Sequence, residues 1–301
     1  MGGLLMDTRR NGMDRIKTKT PLTAAKKKEA VKKLVFTALM FIFVYIMIFP
    51  LLWMVSSSLK SSDEVFRIPF QWLPETFRWS NYAKVWNNQY YPFGRMFLNS
   101  TYVVALSIGL MLLISSLAAY AFAKMEFWGK NAFFFCFLAT MMIPTQLLLI
   151  PRFIVFNTLG LYNKLNALVL CHLVNVLAVF LLRQQFVSIP KELSEAAKID
   201  GAGHFTILWR VMVPLAKPAF MSLLILSFVW FWNDYESPLI FIRSKELYTI
   251  PLGLQVYKDD FSAQYELMMA GSTIAIVPIL TVFLIFQKHF IAGLANGSVK
   301  G

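Results

Sequence analysis

Long stretches without Asp, Glu, Lys or Arg constrain this 301-residue chain more than any other feature. Four of these uncharged runs are long enough for a helix of about 20 apolar residues to cross a bilayer. Two shorter runs lie between Lys164 and Arg183 and between Lys217 and Asp234. A composition of 57% hydrophobic and 15% charged residues also exceeds what one soluble core of this size can bury. We therefore predict an all-α polytopic membrane protein with six transmembrane helices.

The predicted transmembrane domain covers residues 34–301 and follows a basic tail at 1–33. The six spans are expected at about 34–59, 97–123, 131–151, 165–187, 218–242 and 267–288. A polar segment at 189–217 separates the fourth span from the fifth.

Basic residues are unevenly distributed between the segments that flank the spans. Nineteen of the 29 Lys and Arg residues lie on the side that includes 1–33 and 183–217, and ten lie on the other side. Because basic flanks are retained in the cytoplasm, both termini and the 189–217 segment are expected there. The basic tail is expected to rest on anionic membrane lipid, and no nucleic-acid partner is expected.

The chain carries no sequence pattern typical of a catalytic, metal or nucleotide site. It lacks the phosphate-binding G-x-x-x-x-G-K-[ST] loop, as well as H-E-x-x-H and G-x-S-x-G. Cys136 and Cys171 both fall within predicted spans, which favours buried thiols over a disulfide or metal ligands. We therefore expect no enzyme activity, no bound cofactor and no metal ion in this chain.

The segment 189–217 predicts a helix–turn–helix on the membrane surface. Pro190 ends the incoming helix, and Ser194 is suited to cap a new one. Gly201 and Gly203 allow the positive backbone angles or the close approach that a sharp turn requires. Apolar residues then recur with helical spacing up to the next proline. Physical chemistry alone favours an amphipathic membrane linker and a docking element equally.

The string SIPKELSEAAKIDGAGHFTILWRVMVPLAKP, residues 188–218, resembles the EAA loop of sugar-importer permeases of the ATP-binding-cassette class. Other strings are similar to maltose-transporter-type permeases of the oligosaccharide-uptake subfamily: MMIPTQLLLIPRF, LLRQQFVSIPKEL, WNDYESPL, TIPLGL and QKHFIAGLANGSVKG. The resemblance covers about residues 34–301. It implies the fold of a type I ABC importer permease in the cytoplasmic membrane of a prokaryote.

In such permeases the EAA helix sits in a cleft on a separate ATPase, which drives alternating access. The resemblance therefore assigns ATPase coupling to Glu195, Ala196, Ala197, Asp200 and Gly201. It implies three kinds of partner: a second homologous permease subunit, a dimer of ATPase subunits that bind the ATP, and an extracytoplasmic sugar-binding protein. The implied function is binding-protein-dependent import of a sugar, in particular an oligosaccharide.

Two further groups of residues are candidates for contact with the transported sugar or its carrier. Aromatic rings cover the apolar faces of sugars and amides bond their hydroxyls, so Trp232, Asn233 and Asn175 are candidates for the substrate path. For Tyr235 and Glu236, an interfacial aromatic belt is the preferred interpretation. By its position in the family pattern, a segment on the outer side is implied to contact the sugar-binding protein, through Leu254, Gln255, Val256 and Tyr257.

Several alternatives stay open or are disfavoured. His172 is interpreted as a packed core histidine and His204 as a solvated loop residue. The solute could instead be a glycerol-phosphate compound or an acidic uronate oligosaccharide, since only the charge along the pathway separates these classes. A polytopic enzyme would need converging catalytic residues, and an ion-coupled carrier would need more buried acids than Asp234 and Glu236.

Overall fold

The computed structural model describes residues 24–69, 71–258 and 264–298. The described residues form helices and connecting turns, with no β-strand among them, so the predicted all-α class is confirmed. The α-helices are α1 (Ala24–Ser58), α2 (Ser62–Val65), α3 (Ser80–Trp86), α4 (Phe93–Lys124), α5 (Lys130–Ala139), α6 (Leu149–Thr158), α7 (Leu165–Cys171), α8 (Val176–Ser188), α9 (Lys191–Ile199), α10 (His204–Ile207), α11 (Val213–Leu215), α12 (Lys217–Trp232), α13 (Glu236–Phe241), α14 (Ile250–Leu254) and α15 (Tyr265–Ser298). Short 3₁₀ segments lie at Thr140–Met142, Thr145–Leu148, Lys245–Leu247 and Gln255–Tyr257, and a π-helical segment lies at Leu208–Met212.

The chain divides into two compact units, residues 1–52 and residues 53–301. In the first unit, the described residues 24–52 are helical and belong to α1. The Tyr45 and Phe49 rings of this unit meet edge to face with their centroids 6.3 Å apart. The part of the predicted basic tail that precedes residue 24 lies outside the described residues. The second unit contains all the candidate functional residues.

Three helical stretches are long and apolar enough to cross a membrane: Lys27–Ser58, Phe93–Lys124 and Tyr265–Lys288. Three more candidate spans are helix pairs bent at a short break: Lys130–Met142 with Thr145–Thr158 (95°), Leu165–Cys171 with Val176–Ser188 (47°), and His204–Leu215 with Lys217–Trp232 (78°). By length and composition, the described residues therefore provide three spans, or up to six if each bent pair is one span. In place of the single predicted span 218–242, α12 ends at Trp232 and α13 follows after a short break.

Helix α4 is the central element of the second unit. One face of α4 is buried along its whole length, from Phe93 near the beginning to Tyr120 near the end. Helix α8 packs along α4, and α12 packs against both α4 and α15. Buried Ser107, Ser115 and Ser116 are small enough to let neighbouring helices approach α4 closely.

The beginning of α4 is bonded to the segment that precedes α14. The Asn99 side-chain amide donates to the backbone carbonyls of Glu246 and Tyr248 at 2.8 and 3.0 Å. The Ile250 N–H donates to the Ser100 hydroxyl at 2.9 Å. Because buried backbone groups need partners, these bonds fix residues 246–250 to this end of α4.

Side chains satisfy the backbone at two of the helix breaks. Asn175 Oδ1 accepts a hydrogen bond from the Ala178 N–H at 3.0 Å, at the beginning of α8. Asp234 Oδ1 accepts one from the Ser237 N–H at 3.1 Å, at the beginning of α13. Ala178 and Ser237 are buried, so these N–H groups would otherwise have no partner, and the two caps allow the helices to break inside the protein.

The same two breaks contact each other. The His172 ring stacks on Phe231 with a centroid distance of 4.2 Å. His172 Nε2 lies 3.1 Å from Asp234 Oδ2, an ion-pair distance outside hydrogen-bond geometry, and both side chains are only 15% exposed. His172 is therefore a packed histidine, as predicted, but one with a carboxylate neighbour that the sequence did not indicate.

Replacement of Asp234 by Ala should lower the free energy of unfolding by about 1–3 kcal/mol, because the buried Ser237 N–H loses its acceptor. Replacement by Asn keeps the Oδ1 acceptor and should cost less. Thermal unfolding of the detergent-solubilised protein measures both changes. Equal losses in the two variants would contradict a capping role.

Replacement of Gly253 by Ala should also destabilise the protein, by about 1–3 kcal/mol through overpacking. A Cβ at Gly253 would lie 2.1 Å from the sulfur of Met96, whose side chain is fully buried and cannot move into solvent. Gly109 in α4 is the matched control, since a Cβ there meets nothing within 4 Å. Its replacement by Ala should be neutral or stabilising in the same unfolding measurement.

Candidate functional site

The segment 189–217 folds into α9, a tight turn, and the helical stretch that runs from α10 to α11. Helix α9 begins at Lys191, directly after the extended backbone of Pro190. Ser194 is therefore inside the helix and buried, and its Oγ has no hydrogen-bond partner within the described ranges. The prediction that Ser194 caps this helix is wrong, because Pro190 already ends the incoming helix and the new one starts at the next residue.

The turn after α9 is a Schellman motif centred on Gly201. The Ala202 N–H donates to the Ala197 carbonyl at 2.9 Å, and the Gly201 N–H donates to the Lys198 carbonyl at 3.0 Å. Gly201 has a φ of +82°, in the left-handed region that favours glycine. Gly203 has a φ of −73° and extended backbone, which other residues also adopt. Of the two glycines, only Gly201 provides the positive angle.

Most residues predicted to couple to an ATPase lie on the open face of this segment. Glu195, Ala196 and Asp200 are exposed, whereas Ala197 is half-buried against the core. The same face carries three large apolar side chains that are not among the residues assigned to coupling: Leu193 (45% exposed), Ile199 (86%) and Phe205 (71%). The sequence indicates such residues where large apolar side chains occur in an otherwise polar helical segment. We call Leu193, Glu195, Ala196, Ile199 and Phe205 the coupling surface.

The opposite side of the segment is bonded to the end of α4. Lys124 Nζ donates to the Ile189 carbonyl at 2.7 Å. The hydroxyl of buried Tyr120 lies 3.0 Å from His204 Nδ1, with the two rings edge to face. His204 is exposed, as predicted, but one of its ring nitrogens lies within hydrogen-bond distance of Tyr120. Its partner is on α4, 84 residues away in the sequence, so the local pattern of the loop could not reveal the contact.

A separate cavity of about 220 Å³ lies near the end of α12. It is lined by two predicted substrate-path residues, Trp232 and Asn233, and by two predicted binding-protein contacts, Leu254 and Gln255. Tyr235, interpreted from the sequence as part of an aromatic belt, also lines it. The fold thus brings these two groups of candidates together, although they lie about 20 positions apart in the chain.

Trp232 forms a wall of this cavity and is mostly buried. Its ring packs between Phe97 and Phe228, with centroid distances of 5.6 and 5.3 Å. Its indole N–H donates to the Ala275 carbonyl at 3.0 Å, so its polar group is already satisfied. Asn233 is exposed, and its Nδ2 donates to the Val229 carbonyl at 2.7 Å, so its Oδ1 is the group left available for a ligand.

The remaining candidates lie elsewhere or are buried. Asn175 caps α8 and does not line the cavity. The Tyr257 phenol is buried and accepts a hydrogen bond from Asn88 Nδ2 at 3.4 Å, and burial raises its pKa above the ordinary value. The side chain of Val256 lies outside the described part of the chain. Within that described part, no three His, Cys, Asp or Glu side chains converge to hold a metal ion.

Comparison with known proteins identifies the family of this chain. Residues 111–296 match the model of the family described as binding-protein-dependent transport system inner membrane component. The probable ABC transporter permease protein YurM of Bacillus subtilis (strain 168) is 37% identical over 269 residues, which are 87% of each chain. The arabinooligosaccharides transport system permease protein AraQ of Halalkalibacterium halodurans is 36% identical over 259 residues, 85% of this chain and 92% of the relative.

The fold also matches the crystal structure of a bacterial ABC transporter involved in the import of the acidic polysaccharide alginate. The TM-score is 0.78 at 24% sequence identity, over 90% of this chain and 100% of the matched chain. The resemblance on which the sequence interpretation depended is confirmed by the family match and by the two relatives. The chain belongs to the family of binding-protein-dependent transport system inner membrane components, as a multi-pass transport permease and not an enzyme.

Proposed function

We propose that this chain is one of two permease subunits of an ATP-driven importer and that it translocates a sugar, in particular an oligosaccharide. Both termini and the 189–217 segment lie in the cytoplasm in this proposal. A dimer of separate ATPase subunits binds the ATP, and this chain binds no cofactor of its own. The relative AraQ, a permease of an arabinooligosaccharide transport system, supports the substrate class.

The observation that carries the proposal is the two-sided structure of the 189–217 segment. The coupling surface is open on one side, while Lys124 and Tyr120 bond the other side to α4. Full burial of one large apolar side chain is worth about 1.5–3 kcal/mol, so Ile199 and Phe205 can supply much of the docking free energy. An exposed ion pair at Glu195 adds only about 0–1 kcal/mol unless docking removes water from it.

Helix α4 connects this segment with the outer side of the protein. Closure of the ATPase dimer displaces the coupling surface, and the bonds from Lys124 and Tyr120 pass that displacement to one end of α4. The other end carries Asn99 and Ser100, which hold residues 246–250 beside the cavity at Asn233. In this proposal Trp232 and Asn233 border the substrate path, and Leu254 and Gln255 contact the sugar-binding protein.

Uptake in proteoliposomes tests the function. The complex of this chain with its co-purifying permease and ATPase, together with the binding protein, should accumulate a labelled oligosaccharide only when ATP is present. Ile199→Ser removes an exposed side chain that the fold does not need, and it should weaken ATPase association and reduce uptake. Exclusive uptake of sn-glycerol 3-phosphate would refute the sugar assignment, and normal association in Ile199→Ser would refute the docking role of the coupling surface.

Gly201→Ala should reduce ATP-dependent uptake, whereas Gly203→Ala should leave it near the wild-type level. A Cβ meets nothing within 4 Å at either position, so the two variants differ only in backbone conformation. The left-handed φ at Gly201 costs a non-glycine residue about 1–2 kcal/mol, which opens the turn. Uptake assays with both variants make the comparison, and equal activities would show that the shape of this turn is not required.

A further inference from the structure

An open cavity of about 450 Å³ lies away from both sites described above. It is bordered by the end of α4 at Phe122, by the loop that contains Glu126 and Phe127, by the beginning of α5 at Lys130, and by Arg183 of α8. It lies on the same side of the protein as the 189–217 segment, since Lys124 at the end of α4 bonds to the Ile189 carbonyl. Nothing in the proposed transport function uses this cavity.

Arg183 is held in place but not neutralised. Its Nε donates to the Phe122 carbonyl at 3.3 Å, and its guanidinium carbon lies 4.1 Å from the centre of the Phe134 ring. Among the described residues, its two terminal nitrogens have neither a hydrogen-bond acceptor nor a carboxylate partner. A guanidinium fixed in this way presents a fork of N–H donors that matches a phosphate group.

Further positive charge comes from Lys130, the first residue of α5. Lys130 Nζ donates to the Met125 carbonyl at 2.8 Å and lies 3.3 Å from Glu126 Oε1. The Glu126 side chain is 88% exposed, so it can move into solvent when another anion takes its place beside Lys130. The backbone N–H groups at the beginning of α5 add partial positive charge at Asn131.

The surroundings of the cavity fit an amphiphilic ligand better than a soluble anion. Arg183 lies five residues before the end of α8, about 8 Å along the helix from the end that leads into the coupling segment. Trp128 beside the cavity is 91% exposed, as is typical of aromatic residues at the membrane interface. On α5, Phe133 and Phe135 are 57% and 73% exposed and offer apolar surface for acyl chains.

We propose that this cavity binds the phosphate of an anionic phospholipid headgroup, with Arg183 as the principal contact and Lys130 as the second. The bound lipid joins α4, α5 and α8 at the level where the coupling segment begins. The site is separate from the substrate path, and the proposal does not depend on which solute the importer carries.

Native mass spectrometry of the purified transporter complex tests the site, with phosphatidylglycerol and phosphatidylcholine as the two lipids. Wild-type complex should retain phosphatidylglycerol in preference to phosphatidylcholine. Arg183→Gln should need about fivefold more phosphatidylglycerol for the same retention, the effect of one basic residue at the surface. Lys84→Gln, which removes an exposed charge on α3, is the matched control and should bind like wild type.

Glu126→Gln provides a test that does not depend on a loss of binding. This variant removes the carboxylate that competes for Lys130, so it should raise phosphatidylglycerol retention. If the Arg183→Gln complex fails to assemble, Glu126→Gln still tests whether lipid binds in this cavity. Displacement of the lipid by excess inorganic phosphate would show a site for a soluble anion and overturn the proposal. Identical retention in wild type, Arg183→Gln and Glu126→Gln would show that no lipid binds there, as when a partner subunit covers the cavity.

Discussion

A helix that breaks in a buried position leaves backbone N–H groups without a partner, and the fold depends on how these groups are satisfied. Asn175 and Asp234 accept the N–H groups that follow two of the breaks. Asp234 also faces His172, so one carboxylate both caps a helix and joins the two breaks. The break after Trp232 leaves room for the cavity at Asn233. The helix breaks therefore expose polar side chains that a continuous apolar helix would not contain.

The sequence is a good guide to those features that depend on local composition. The lengths of the uncharged runs indicate six apolar segments, because crossing a bilayer is a matter of length and polarity. Gly201 is also visible, because a polar helix followed by glycine is typical of a Schellman turn. The bends are less visible. A span broken by a few residues has nearly the same composition as a straight one, and single residues such as the caps Asn175 and Asp234 mark the difference.

Contacts between distant parts of the chain could not be predicted in the same way. The bond between His204 and Tyr120 joins residues 84 positions apart, and neither residue is unusual in its own segment. Trp232 shows a related ambiguity, since a cluster of aromatic residues looks the same whether a ring lines a cavity or fills the core. The exposure of Ile199 depends on which face of α9 packs against the core, and Ala197 lies on that buried face. Tertiary packing determines each of these contacts and exposures, and local sequence patterns do not contain that information.

Helix α4 is attached at both ends, to the 189–217 segment through Tyr120 and Lys124 and to residues 246–250 through Asn99. Its 32 residues make a rod about 48 Å long. When such a rod pivots about its middle, its ends swing in opposite directions, and a rotation of about 5° moves each end by about 2 Å. A lever of this kind reverses the sign of the motion across the bilayer. If α4 pivots in this way, the space beside it narrows at one end and widens at the other in the same movement.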